Sequence, residues 1–518
     1  MPIQSFIMAL AILSLLSPAV SGYSKAGVKA WCSQTPHPEP CDYLLTHDPK
    51  YHTRPINSRS DFFKLSVELA LDGAMQAEAH SFRLGSRANE LEKAAWADCL
   101  ELYNRTIKQL NTTLNTHASR ADAQTWLSSA LTNLETCRAG FIDFGVTDNI
   151  VLPLMDNNNV SSLISNALAL NKLPNGTWDK FTQGFPNWVS PGNRRLLQLT
   201  SPVAMANIVV AKDGSGNYTT VAAAVAAAAG MQLKKGRFVI YVKAGTYKEN
   251  VVVKLGNITL VGDGIGKTVI IGSKSVQGGS TTFDSATIAV VGDGFIGQGI
   301  TIRNTAGAAN DQAVALRVDS DLSVFYQCSF EGYQDTLYVH SQRQFYKECD
   351  IYGTVDFIFG NAAVVLQNCS IYARYPGHGK DNTITAQGRI DPNQNTGISI
   401  HDCRAIAASE LEPYLGSVKT YLGRPWKKYS RTVFMKTYLG NLTDPAGWLP
   451  WSGDFALSTL YYGEYENIGP GSSTADRVNW TGYHVITSSS VASEFTVANF
   501  IAGELWLPAT KVPFTADL

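Results

Sequence analysis

The chain has 518 residues, 45% of them hydrophobic and 16% charged, with a formal net charge of −1. That length exceeds one typical domain, and the even charge argues against a nucleic-acid partner. The eight cysteines form no Cys-x-x-Cys pair and no His-Glu-x-x-His run occurs, so neither a metal site nor a cofactor is expected.

Residues 1–22 read as a signal peptide. Phe6 to Leu16 is almost wholly apolar, and Ala19, Ser21 and Gly22 offer small residues for cleavage. The run is too short to span a bilayer, and no later segment reaches about 18 apolar residues. An exported, soluble chain without a membrane span is expected, in a route where disulfides persist. Asn104, Asn111, Asn159, Asn175 and Asn441 begin sequons and are glycosylation candidates there.

Residues 23–173 predict a helical bundle. Phe62, Leu65 and Leu69 recur at helical spacing, as do Leu91, Ala95, Cys99 and Leu102. Trp126, Ala130, Leu134 and Cys137 mark a third helix, and Leu163, Ala167 and Leu170 a fourth. Short polar turns between them suggest an all-α, up-and-down four-helix bundle. Cys32 and Cys41 flank a Pro-rich loop that a disulfide can close, and Cys99 and Cys137 can staple two helices. Residues 174–207 break the pattern with repeated Pro and Gly and read as a linker. Arg194-Arg195 within it is a candidate site for a processing protease.

Residues 208–518 turn to short β-rich runs, such as Arg237–Lys243, Asn257–Val261 and Ala286–Val291, parted by Gly, Asp and Asn turns. Val221 to Gly230 is an Ala-rich run suited to cap the first coil. Cys328-Ser-Phe-Glu-Gly-Tyr-Gln-Asp335 is echoed 21 residues later by Cys349-Asp-Ile-Tyr-Gly-Thr-Val-Asp356, and Cys369 opens a third phrase. A period of this length marks a solenoid, and a parallel β-helix is the expected all-β architecture. Two glycine-rich runs, Gly292–Gly297 and Gly262–Thr268, imitate nucleotide loops. The first runs on into a strand instead of a helix and the second lacks its leading glycine, so both are read as turns.

Strands of adjacent coils lie about 4.8 Å apart, so Asp335 and Asp356 are expected to stack. Close carboxylates cannot both ionise easily, which suits acid/base and nucleophilic chemistry. Gln334 and Gln312, 22 residues apart, stack by the same logic. They can offer amide N–H groups to an oxyanion or form a plain amide ladder. Tyr421-Leu-Gly-Arg-Pro-Trp426 adds a cation that keeps a neighbouring carboxylate ionised, and an aromatic that can stack on a sugar.

At these residues the chain resembles the plant-type pectin methylesterases. The resemblance is carried by Gly245-Thr-Tyr-Lys-Glu249, Gln312-Ala-Val-Ala-Leu316, Gln334-Asp-Thr-Leu337, Asp356-Phe-Ile-Phe-Gly360 and Leu422-Gly-Arg-Pro-Trp426, in the family's order. It implies a right-handed parallel β-helix and hydrolysis of galacturonate methyl esters in methyl-esterified homogalacturonan, in the cell wall. It further implies Asp356 as nucleophile, Asp335 as acid/base, Gln312 and Gln334 at the oxyanion and Arg424 on Asp356. Thr282 and Trp426 match substrate contacts of the family, and Tyr338 and Phe359 are added here as cleft aromatics. Cys349 and Cys369 match a family disulfide. Cys328 and Cys403 are left as buried thiols or a second bridge. The helical half is similar to the invertase/pectin methylesterase inhibitor domain, whose two disulfides Cys32, Cys41, Cys99 and Cys137 fit. Arg194-Arg195-Leu196-Leu197 resembles a processing motif, and an autoinhibitory pro-region follows, with a separate proteinaceous inhibitor as a further partner. The rival readings are a polygalacturonase or lyase on the same solenoid, and a non-catalytic inhibitor or wall-binding protein.

Overall fold

The computed structural model describes residues 25–52, 54–84, 90–114, 119–144, 159–172, 206–231 and 236–518. The expected signal peptide, Asn175 and the Arg194-Arg195 linker lie outside these residues. Among the described residues no helix is long and apolar enough to cross a membrane.

The first half is helical. A short pair, α1 (Lys25–Cys32) and α2 (Pro38–His47), precedes the long helices α3 (Arg59–Leu84), α4 (Glu90–Thr113), α5 (Arg120–Asp143) and α6 (Val160–Asn171). Cys32–Cys41 closes the Pro-rich loop, and Cys99–Cys137 staples α4 to α5. Phe62, Leu102, Leu127, Ile164 and Leu168 are fully buried at the bundle's centre. Ser119 caps α5 by accepting from the Asp122 amide at 3.0 Å, which satisfies one of the helix's orphan donors.

From Ile208 onward the chain winds into a parallel β-helix. Among the described residues it forms three all-parallel sheets of eleven, eight and seven strands. The Ala-rich helix α7 (Val221–Gly230) covers the first coil. The 21-residue echo is one coil: Ser329 pairs with Asp350, and Asp350 with Ser370. Inward side chains stack as ladders, such as Leu316, Leu337 and Ile358 in the seven-stranded sheet. Burying each such side chain contributes about 1.5–3 kcal/mol.

The corners between sheets are tight and left-handed. Gln327, Glu348, Asn368 and Asp402 take φ between +51° and +54°, each just before a cysteine. Cys328, Cys349, Cys369 and Cys403 therefore form an interior stack, and all four are buried free thiols. The expected Cys349–Cys369 disulfide is not formed. Parallel side chains one coil apart keep a spacing of about 4.8 Å, whereas a disulfide draws its Cβ atoms to about 3.8 Å. The thiols bond backbone instead: Cys349 Sγ reaches the Lys347 carbonyl at 3.4 Å, and Cys403 Sγ accepts from the Cys369 amide at 3.3 Å.

Two outer faces of the solenoid are covered. The C-terminal segment lays Val497, Ile501, Trp506, Leu507 and Val512 on the eleven-stranded sheet, against Val324, Phe345 and Val365. The helical half covers the seven-stranded sheet, so that Phe283, Tyr338 and Phe359 join the bundle's own apolar cluster.

Candidate active site

Asp335 and Asp356 occupy equivalent corners of successive coils, each two residues before the paired strand residues Leu337 and Ile358. Both corners are left-handed, with φ of +62° and +51°. This conformation suits Asp better than most residues, because its short polar side chain can bond locally. It turns both carboxyls out of the solenoid wall into one cavity of about 290 Å³.

The two carboxyls have different surroundings. Arg424 holds Asp356 as a fork, with Nε donating to Oδ1 at 2.8 Å and Nη2 to Oδ2 at 2.7 Å. Thr383 Oγ1 donates to Asp356 Oδ1 at 2.6 Å and accepts from the Asp356 amide at 2.8 Å. Such a charge-assisted, bidentate set fixes an ionised carboxylate. Burial pushes the Asp335 carboxyl well above its ordinary value, and the charges of Asp356 and Asp143 push it further; Arg424 opposes them. The arrangement favours the protonated form of Asp335 and sets the Arg424 guanidinium against Asp356.

Gln312 and Gln334 line the same cavity, and the Ala313 amide bonds the Gln334 carbonyl at 3.2 Å, which locks their two loops together. Tyr338 and Phe359 stack at 4.2 Å between centroids, and Trp426 meets Phe359 edge-on at 5.9 Å. The cavity thus gathers Thr282, Gln312, Gln334, Asp335, Tyr338, Asp356, Phe359, Arg424 and Trp426. Phe283 and Trp451 line it as well, and the Arg424 guanidinium lies 4.5 Å from the Trp451 ring centre. Nothing in the local sequence around Phe283 and Trp451 marks them.

The remaining wall comes from the helical half. Thr136, Ala139, Gly140 and Asp143, all on α5, close the cavity. The Asp143 carboxylate accepts from the Thr282 hydroxyl at 3.0 Å and the Thr282 amide at 3.3 Å. Under this wall Asp335 and Asp356 are only 7% and 5% exposed. Asp143 is another residue that sequence reasoning missed, since its role exists only across two domains.

Two family models match the chain. Pectinesterase covers residues 207–504, and plant invertase/pectin methylesterase inhibitor covers residues 26–170. The chain is 60% identical over 522 residues to "Probable pectinesterase/pectinesterase inhibitor 17" of Arabidopsis thaliana, with 100% of each covered. It is 62% identical over 521 residues to "Pectinesterase 2" of Citrus sinensis, again with 100% of each covered. A solved pectin methylesterase from carrot is similar at TM-score 0.59 and 60% identity, over 60% of this chain and 98% of the carrot chain. That share is what residues 208–518 make up, so a chain of the β-helix's size and fold stands without a helical half. The chain belongs to the pectinesterase family and carries a plant invertase/pectin methylesterase inhibitor domain ahead of its β-helix.

Proposed function

We propose that this pectinesterase hydrolyses galacturonate methyl esters of pectin in the cell wall, with Asp356 as nucleophile and Asp335 as acid and base. The observation that carries this reading is the unequal pair: Asp356 in the Arg424 fork, Asp335 desolvated beside it. The Asp356 carboxylate attacks the ester carbonyl carbon. Gln312 and Gln334 donate their amide N–H groups to the oxyanion that forms. As the intermediate collapses, Asp335 gives its proton to the departing methanol and an acyl-Asp356 anhydride remains. Asp335, now ionised, takes a proton from water as the oxygen attacks that anhydride. Galacturonate leaves with a free carboxyl, and Asp335 is protonated for the next turn. Tyr338, Phe359 and Trp426 supply apolar faces for the sugar rings, and Thr282 a hydroxyl.

The inhibitor domain keeps the site closed until the linker is cut at Arg194-Arg195 and Thr282 loses its Asp143 partner. Residues 1–22 direct export, and residues 23–173, 174–207 and 208–518 act as pro-domain, linker and enzyme. The test uses residues 206–518 on esterified pectin, reading methanol and new reducing ends side by side. Wild type releases methanol without reducing ends. Asp356→Ala lowers methanol release by about 10⁴-fold or more, and Asp335→Asn by about 10²–10⁴-fold. Reducing ends in excess of methanol, or normal methanol from Asp356→Ala, would overturn the reading.

A further inference from the structure

Thr383 touches the Asp356 carboxyl and takes no part in the steps above. It lies in the strand Asn382–Gln387 of the seven-stranded sheet and is 1% exposed. Its backbone brackets the Asp356 corner. Its amide donates to the Thr354 carbonyl at 3.1 Å, and its carbonyl accepts from the Phe357 amide at 3.3 Å. The side chain is thereby laid across Asp356, and a β-branched side chain has little freedom at χ1.

The direction of the hydroxyl proton follows from its partners. The Asp356 amide donates to Thr383 Oγ1 at 2.8 Å, so the hydroxyl proton points away from that amide, and Asp356 Oδ1 receives it at 2.6 Å. A closed loop runs from the amide of Asp356 through Thr383 to the carboxyl of the same residue. At Asp335 the amide donates to a backbone carbonyl instead, that of Val355 at 3.0 Å.

The two oxygens of Asp356 are consequently unequal. An ionised carboxylate offers about two acceptor sites on each oxygen. On Oδ1 both are taken, by Thr383 and by Arg424 Nε at 2.8 Å. On Oδ2, among the described residues, Arg424 Nη2 takes one at 2.7 Å. The spare lone pair of the nucleophile sits on Oδ2.

We propose that Thr383 is a positioning residue that makes Oδ2 the attacking oxygen of Asp356. The proposal rests on the esterase reading. Oδ2 forms the bond to the ester carbonyl carbon, and the carbonyl electron pair moves to the oxyanion. As that pair returns, the bond to the methoxy oxygen breaks and methanol leaves with the Asp335 proton. In the anhydride Oδ1 is the carbonyl oxygen on the Asp356 side, still held by Thr383 and Arg424. When water attacks the galacturonyl carbon and Oδ2 departs with its bonding pair, the same donors meet the returning charge.

Two measurements on residues 206–518 test it. Thr383→Val keeps the shape of the side chain and removes the hydroxyl, whereas Thr383→Ser keeps the hydroxyl and removes a methyl group. Thr383→Val should lower kcat for methanol release about 10–100-fold with KM within about twofold, and Thr383→Ser should stay within about threefold of wild type. An unchanged or raised kcat in Thr383→Val overturns the proposal, as does an equal fall in Thr383→Ser, which would assign the effect to packing. The second measurement needs no Thr383 variant to fold. In a crystal structure of Asp335→Asn with a methyl-esterified galacturonate oligomer, the ester carbonyl carbon should face Oδ2 at about 3–3.5 Å. A carbonyl carbon nearer to Oδ1 in an enzyme whose wild type releases methanol sinks this proposal alone. Wild type without methanol release, or normal release from Asp356→Ala, sinks the esterase reading on which it rests.

Discussion

Two faces of the solenoid are roofed, and the roofs are built from different materials. On the eleven-stranded sheet the C-terminal segment is fastened chiefly by the apolar Val497, Ile501, Trp506 and Leu507, with Gln367 bonded both ways to the Thr515 backbone and Ser399 donating to the Phe495 carbonyl. On the seven-stranded sheet the helical half adds many polar contacts across the seam. Arg105 meets Asp319, Arg343 meets Asp122 at 2.8 Å, Lys427 meets Glu135, and Thr136 meets His340 Nε2 at 2.8 Å. Asn361 donates to Thr132 at 2.8 Å, and Ser165 donates to Asp391 at 2.5 Å. Water can replace the neutral hydrogen bonds at a net cost of about 0.5–1.5 kcal/mol each and the charged ones at about 1.5–3 kcal/mol each. Water cannot replace apolar burial at all. The second roof is the more polar of the two, although Phe283, Tyr338 and Phe359 also give it an apolar part.

The largest effect expected from this contrast is at Trp506, which is 2% exposed and donates from Nε1 to the Ile501 carbonyl at 2.9 Å. Trp506→Ala should cost about 3–5 kcal/mol in denaturant unfolding of the β-helix. A change below about 1 kcal/mol would mean that the C-terminal roof is as dispensable as the other.

Next is the removal of the helical roof. A cover closed about 99% of the time lowers activity about 100-fold. Cutting the linker and separating the halves should raise methanol release by about that factor, with little change in the β-helix melting temperature. Equal specific activity before and after separation would show that the closed cavity is not a barrier to pectin.

A smaller, pH-dependent effect concerns Asp98 of α4, which bonds the Thr281 hydroxyl across the seam. Burial raises its pKa from 3.8 to about 7 in the docked state. The docked state then keeps a proton that the undocked state releases above about pH 4. Asp98 therefore favours docking fully below that pH, less and less up to about 7, and no further change follows above 7. Burial also raises Asp143, which acts in the same sense. His340 is buried at the same seam with its pKa lowered, and acts in the opposite sense below 6.5. Asp98→Asn isolates one part: in the full chain, activity should rise about tenfold less between pH 4 and 7 than in wild type. An identical rise in both proteins would remove Asp98 from the release mechanism.

The smallest effect is at the half-buried Lys427–Glu135 pair. Lys427→Ala should raise full-chain activity only about two- to fivefold, and salt should narrow the difference from wild type. A larger change that salt leaves untouched would point to lost packing instead of lost charge.

Much of the solenoid was legible in the sequence because a coil repeats. The equal offsets of Cys328 to Cys349 and Asp335 to Asp356 are one turn, and one turn places side chains on one line. Periodicity gives neighbours, however, and not separations. It brought Cys349 beside Cys369 without showing that parallel stacking holds two thiols apart. The helical pattern likewise located α5 but not what α5 touches. Asp143 and Asp98 have no repeat, no motif and no unusual local sequence. Their meaning comes from a seam between two domains that are distant along the chain. Phe283 and Trp451 were missed for a related reason: each reaches the cavity from an irregular loop whose path only the folded chain decides.

The left-handed corners under both reactive carboxyls have a further bearing on engineering. Asparagine tolerates that backbone geometry nearly as well as aspartate, whereas alanine there carries an added strain of about 1–2 kcal/mol. Charge can therefore be erased at either position with the main chain undisturbed. Amide-for-acid exchange is the cleaner route to an inert form that still grips its polymer, suitable for labelling intact wall material or for trapping a bound substrate.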